Sequence, residues 1–178
     1  MSGKGRVDAE TALRVAKSLC TELEPATVAI TIAGSLRRQK PQVGDIELLA
    51  IPRFEHGITN LLEGTIQRLI AEGILTYRLN KNGSKVFGAQ NKLLIHRPSN
   101  ISVDIFTTDA ERWPVSLVVR TGGTETNKLI CLAAIRRGWR FQPYGKGFVT
   151  PDGYLRCYSE QEVFEAVGLR YREPWERD

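Results

Sequence analysis

Two runs suited to β-strands, residues 27–33 (TVAITIA) and 46–51 (IELLAI), flank a polar stretch that begins at Gly34-Ser35 and ends at Asp45. β-Branched and aliphatic residues at this density read as strands that bury at least one face. Gly34 lets the backbone turn tightly where the first strand ends. On the second strand Asp45 and Glu47 stand two apart, so both carboxylates share a face while Ile46, Leu48 and Leu49 supply buried neighbours. Like charges on one face repel unless a cation joins them. A third acid, Asp104, interrupts the apolar strand ISVDIF, where an unpaired ionised group is costly to bury. Three acids on adjacent strands offer hard oxygen ligands for Mg²⁺, and a two-metal site about 3.5–4 Å wide serves in-line phosphoryl displacement. Taken alone, the Asp-x-Glu pair reads as the solvated face of an edge strand. The nine residues between Ser35 and Asp45 change the balance, because Ser35 offers a hydroxyl and an amide while Arg37 and Arg38 are placed to meet phosphate oxygens. A capped turn with two solvated arginines is the plain alternative.

The surrounding pattern predicts a mixed sheet backed by two helices. Asp8 caps a helix whose apolar face is Ala9, Ala12, Leu13, Ala16, Leu19, Cys20 and Leu23, with Pro25 just beyond it. Leu61, Leu62, Thr65, Ile66, Leu69 and Ile70 mark a second helix closed by Gly73. Strand-like segments follow at 74–79 (ILTYRL), 84–90 (SKVFGAQ), 92–96 (KLLIH) and 101–108 (ISVDIFTT). After Phe106 the pattern changes. WPVSLVV and TNKLICLAAIRRG read as helices, GWRFQPYGKGFV and PDGYLR as short strands, and SEQEVFEAVG as a last helix capped by Ser159 with Glu162 at its third position. The closing YREPWERD reads as an extended tail. The expected fold is therefore α+β in two subdomains, residues 1–112 and 113–178.

A length of 178 residues with 42% hydrophobic and 25% charged side chains suits one or two compact cores and excludes a disordered tail. No run approaches the roughly 18 apolar residues of a membrane span, and MSGKGRVDAE carries no apolar leader, so the expectation is a soluble intracellular protein. Cys20, Cys131 and Cys157 are far apart with no CxxC pair, which argues against a disulfide framework or a cysteine zinc site. His56 and His96 lack a second ligand at useful spacing. Cys131 lies on a helix face with Ala134 and Ile135 and reads as packing. The net charge of +5 is concentrated in residues 120–157, with 7 basic against 2 acidic side chains. Arg136, Arg137, Arg140 and Lys146 alternate there with Trp139, Phe141 and Tyr144, which suits phosphate contact along a groove. The rings themselves read more simply as the core of a short strand.

GSLRR followed by VGDIE resembles the palm signature of DNA polymerase family X, the group of DNA polymerase beta within the nucleotidyltransferases. SVDIF is similar to that family's third-carboxylate strand, TGGTETNKLICLAAIRRGW to its TGS-type turn and following helix, and SEQEVFEAVGLRYREPWERD to its C-terminal segment. The resemblance runs from Arg6 to the end and implies a nucleotidyltransferase palm followed by a small α+β thumb, as in small viral family X polymerases. It implies that Asp45 and Glu47 hold two Mg²⁺ ions, with Mn²⁺ as a substitute, and that Asp104 binds the catalytic ion and helps activate a primer 3′-hydroxyl. Gly34 would form the turn, and Ser35, Arg38, Gly44 and Arg6 would contact the triphosphate. Thr121, Gly122 and Gly123 would form the turn beside the sugar, Asn127 would meet the incoming base, and Lys85 would lie near the template strand. The chain departs from the family pattern at Glu47, where a second Asp is common, and at Ser102, where an arginine often stands two residues before the third acid. Val119-Arg120 replaces an aromatic pair, which leaves sugar selectivity open.

The resulting expectation is a template-directed DNA polymerase that adds deoxynucleotides at short gaps in duplex DNA during repair. Its partners would be gapped or primer-template DNA and dNTP. It would act as a monomer in cytoplasm or nucleus, virus-encoded or cellular, without a membrane. Only about 32 residues precede the Gly-Ser turn, too few for the family's lyase and helix-hairpin-helix modules, so an accessory DNA-binding or ligase partner is part of the expectation. A template-independent transferase acting on single-stranded DNA or RNA ends is the alternative, and a catalytically silent DNA-binding scaffold is the rival from another class.

Overall fold

The computed structural model describes residues 5–178. β1 (Val7–Asp8) runs into α1 (Ala9–Leu23), capped by the Asp8 carboxylate, which accepts from the Thr11 amide at 3.1 Å. Ala12, Ala16, Leu19 and Leu23 form its buried stripe, and a 3₁₀ turn at Glu24–Ala26 closes it around Pro25. β2 (Thr27–Ile32), α2 (Gly34–Arg37), β3 (Gln42–Val43) and β4 (Ile46–Pro52) build the strand-turn-strand unit, and β3 pairs back onto β1. The small hairpin β5 (Phe54–Glu55) and β6 (Thr59–Asn60) leads to α3 (Leu61–Ala71), capped by Asn60. β7 (Leu75–Tyr77), β8 (Asn91–His96) and β9 (Ile101–Thr107) complete a five-stranded sheet in the order β2-β4-β9-β8-β7. β4 and β9 run parallel while the other neighbours are antiparallel, so the sheet is mixed.

The two-residue period of the strands sorts this sheet into two faces with different tasks. Ile46, Leu48 and Ala50 of β4, Val103 and Ile105 of β9 and Leu94 of β8 pack against α1 and α3 in the larger core. The alternate residues point the other way. Among them Leu49 and Phe106 are buried, while Glu47 and Asp104 sit beside them as register partners.

The second unit consists of α4 (Trp113–Thr121), α5 (Thr124–Arg136), the antiparallel strands β10 (Arg140–Gln142), β11 (Gly147–Thr150) and β12 (Gly153–Leu155), and α6 (Glu160–Ala166). Its own core gathers Val115, Val118, Ile130, Ala134, Phe148, Val163 and Phe164. Ser159 caps α6 as its sequence predicts, accepting from the Glu162 amide at 3.1 Å. No helix among the described residues is long and apolar enough to cross a membrane.

Three local expectations are corrected. Residues 84–90 form no strand; they lie in a loop touched by the isolated bridges Leu79–Lys85 and Phe87–Lys92. The reason is local: the Asn80 carboxamide accepts from the amides of Asn82 at 2.9 Å and Ser84 at 3.0 Å, which curls the chain before it can extend. The C-terminal segment is no extended tail, because Pro174–Glu176 makes a 3₁₀ turn and Arg177 is fully buried beside α6. On α5, Ile135 is 59% exposed and Cys131 only partly covered, so the packed face is Ile130, Ala133 and Ala134 instead.

Candidate active site

The five-stranded sheet lines up its acidic face in one row. Glu47 on β4 pairs in register with Asp104 on β9, and the backbone of Glu47 accepts from the Ala33 amide at 2.8 Å, which sets Gly34 directly beside it. Asp45 lies one residue ahead of β4. Gly34 adopts φ 60°, and a Cβ placed there would fall 1.8 Å from the Glu47 carboxylate. The missing side chain is therefore the space the longer Glu47 stem occupies. Burial, then the charges of Asp45 and Asp104, push the Glu47 carboxyl up from 4.5 to about 7, against the pull of Arg120 and Arg38. Asp104 is 8% exposed, and its Oδ1 accepts from Arg78 Nη2 at 2.5 Å. Among the described residues no three His, Cys, Asp or Glu side chains are drawn together tightly enough to hold a metal as they stand. The donor set nevertheless suits a hard divalent cation: three carboxylates, one of them unwilling to ionise beside the other two.

Next to this row opens a cavity of about 540 Å³ lined by Arg6, Ser35, Arg38, Lys40, Pro41, Gln42 and Gly44. Three cations and no carboxylate line it, which makes it a receptacle for a polyanion. Arg6, Ser35, Arg38 and Gly44 are four residues that the sequence singled out and the fold brings together. Lys40 was not foreseen. It arrives because Gln39 takes a left-handed φ of 57°, which turns the chain after α2 back toward Ser35.

Arg37, expected at phosphate, points elsewhere. Its guanidinium forms a two-pronged bond to Glu160 of α6 at 2.6 and 2.8 Å and a third to Thr121 Oγ1 at 2.6 Å. The buried Arg177 approaches the same Glu160 at 2.9 Å. Burial alone would raise the Glu160 carboxyl, but Arg37 and Arg177 outweigh it and hold the group below its ordinary range. Arg38 Nη1 donates to the Thr121 carbonyl, so both arginines of GSLRR bind the thumb turn to the palm.

In that turn Gly123 has no room for a side chain, because a Cβ would coincide with the Asp178 backbone. Asp178 in turn caps α5, accepting from the Thr126 amide at 2.9 Å and its hydroxyl at 2.7 Å. Asn127 donates to the Val119 carbonyl at 2.9 Å and keeps its buried Oδ1 without a partner among the described residues. Arg120 stacks 3.5 Å from the Phe106 ring centroid and lies 4.9 Å from that of Tyr144. Lys85, Arg136, Arg137, Arg140 and Lys146 are all exposed. Trp139 and Phe141 are not free platforms, since both pack on Phe148, at 6.1 and 4.9 Å between ring centroids. Arg78, Arg120, Lys40 and Glu160 are the residues that sequence reasoning missed. Lys40 and Glu160 lie within motif segments and Arg120 beside the turn, but none was assigned this role there, while Arg78 lies in a segment with no motif.

Residues 6–106 match the DNA polymerase beta palm model and residues 116–178 the DNA polymerase beta thumb model. The chain belongs to DNA polymerase family X. Its palm and thumb superpose on the crystal structure of Leishmania infantum polymerase beta in a ternary P/T complex with a TM-score of 0.77 at 20% identity, over 99% of this chain and 78% of that one. In sequence the family X chain is 23% identical over 207 residues to the DNA nucleotidylexotransferase of Xenopus laevis, covering 97% of this chain and 41% of that protein. It thus spans about two-fifths of the length of that relative.

Proposed function

We propose that this palm and thumb, divided near residues 112 and 113, transfer nucleotides from dNTP to a primer 3′-hydroxyl, choosing each by the template base, at short gaps in duplex DNA. The observation that carries the reading is the contact of two opposite environments across Gly34: a row of acids on one side and a cavity lined by three cations on the other. A nucleoside triphosphate with a reacting α-phosphate needs both.

Arg6, Arg38 and Lys40 neutralise the β and γ phosphates, while Ser35 and the backbone at Gly44 donate to their oxygens. Asp45, Glu47 and Asp104 hold two divalent cations, Mg²⁺ or Mn²⁺. When bound, these supply Lewis-acid polarisation of the phosphate and a lowered pKa for the attacking hydroxyl. The primer oxygen forms its bond to the α-phosphorus as the bond to the bridging oxygen breaks, the electron pair leaving with pyrophosphate. Asp104 would accept the proton that the primer hydroxyl loses as it attacks. Thr121, Gly122 and Asn127 face the sugar and base from the thumb, and Lys85, Arg136, Arg137, Arg140 and Lys146 meet DNA phosphates.

Primer extension on a labelled one-nucleotide-gapped duplex, with each dNTP supplied singly, tests this. Addition of the complementary nucleotide alone is the expected result, and no addition in Mg²⁺ or Mn²⁺ defeats it. The likeness to a DNA nucleotidylexotransferase favours one second reading, template-independent addition to strand ends. Extension by every nucleotide regardless of template would select it.

A further inference from the structure

We infer that Arg78 is the positioning residue for the Asp104 carboxylate, an inference that rests on the nucleotidyl-transfer reading above. The Arg78 amide donates to the Leu93 carbonyl at 3.0 Å, Leu93 pairs with Asp104, and Asp104 pairs with Glu47. Arg78, Leu93, Asp104 and Glu47 thus form one row across four neighbouring chain segments, and residues in a row project from the same face. The neighbour of Arg78 in this row is aliphatic, so its guanidinium passes Leu93 and ends on Asp104 Oδ1 at 2.5 Å. Within β9 itself, the residue two before Asp104 on the same face is Ser102, which carries no charge. The counter-charge in direct contact, Arg78, reaches Asp104 from two strands away.

The manner of the contact separates positioning from packing. Both side chains are largely buried, 17% exposed for Arg78 and 11% for Asp104. The grip is end-on, one Arg78 nitrogen to Asp104 Oδ1, and it restrains where that oxygen lies. Arg78 Nη1 is buried without a partner among the described residues. The base of the side chain is rigid as well, since Arg78 is tied to the sheet by Leu93 and followed by the Leu79–Lys85 bridge and the Asn80 turn.

The test uses Arg78→Met and Arg78→Lys in the full chain, with three readouts: single-nucleotide addition, Mn²⁺ binding to the protein alone by electron paramagnetic resonance, and thermal melting. Arg78→Met is expected to lower kcat by about 10–100-fold and to weaken Mn²⁺ binding about tenfold. KM for the dNTP should change by less than about threefold, since the triphosphate cavity is untouched. Millimolar guanidinium should restore part of the kcat lost in Arg78→Met, and Arg78→Lys should fall between Met and wild type. Unchanged kcat and Mn²⁺ affinity in Arg78→Met overturn the inference. So does a loss that follows a fall in melting temperature and is restored by neither guanidinium nor Lys. If Arg78→Met does not fold, the Lys variant alone decides, with wild-type kcat and Mn²⁺ binding counting against the inference. A wild-type protein that neither binds Mn²⁺ nor adds nucleotides defeats the nucleotidyl-transfer reading itself, whereas a wild type that does both leaves Arg78 as the sole point at issue.

Discussion

Two clusters of charge lie within a few residues of the GSLRR segment, and they are balanced in opposite ways. In the palm–thumb clamp one carboxylate, Glu160, meets two arginines, Arg37 and Arg177, and is held below its ordinary pKa. On the sheet face Arg78 pairs directly with Asp104, while Glu47 feels Arg120 and Arg38 only through space and rises to about 7. In the clamp the single carboxylate is more than matched by the two guanidinium groups. Within the row, Glu47 is held above its ordinary range despite Arg120 and Arg38, so additional positive charge beside it would be favoured. Proximity of charge does not by itself mark function; the balance does.

The comparison is broken most severely by substitutions at the acidic row. Asp104→Asn is expected to lower nucleotide addition by about 10³-fold in single-turnover extension without loss of fold. Near wild-type rates would remove the row from the chemistry. In the clamp, Glu160→Leu leaves Arg37 and the buried Arg177 facing each other without an anion and should cost about 3–5 kcal/mol in urea unfolding. Activity should then fall only as far as the thumb loses its seat.

The two clusters should also titrate with opposite slopes. Glu47 binds its proton more tightly folded than unfolded, so its contribution to stability is lost as pH rises from 4.5 to about 7. Glu47→Gln should therefore stabilise the metal-free protein at pH 8 by about 3 kcal/mol, with the gain disappearing below the lower of those values. Glu160 behaves in reverse, because its depressed pKa gives stability that is present above the ordinary carboxylate range and lost as pH falls through its folded value. Thermal melting of wild type, Glu47→Gln and Glu160→Leu from about pH 2 to pH 8 separates the two. Parallel curves would show that the clusters are not differently balanced.

The smallest effect concerns the cation-lined cavity. Lys40→Ala removes one of its three cations and should weaken dNTP binding about fivefold by calorimetry, leaving the melting temperature unchanged. An unaltered affinity would confine the polyanion to Arg6 and Arg38.

Much of the palm could be read along the chain. The caps at Asp8 and Ser159, the stripe of α1 and the period of two in β4 and β9 are properties of neighbours in sequence, and each appears in the fold as expected. The convergence of Arg6, Ser35, Arg38 and Gly44 on one cavity was foreseen from motif likeness. The 84–90 loop and the buried C-terminal turn were misjudged for a shared reason. Strand-like composition in the first yielded to a side-chain-bonded turn, and charged composition in the second concealed an arginine whose partner lies on another element.

The sequence by itself determined where acids interrupt apolar strands and where glycine permits a turn, because alternation and backbone freedom are local. Only the tertiary structure decided which cation each acid meets. Arg78 reaches Asp104 across β8, Arg120 comes from α4 to stack over Phe106 near the row, and Arg37 turns from the phosphate cavity to Glu160 123 residues away. Arginine side chains are long and their charge acts through space, so their partners are set by strand order and helix packing.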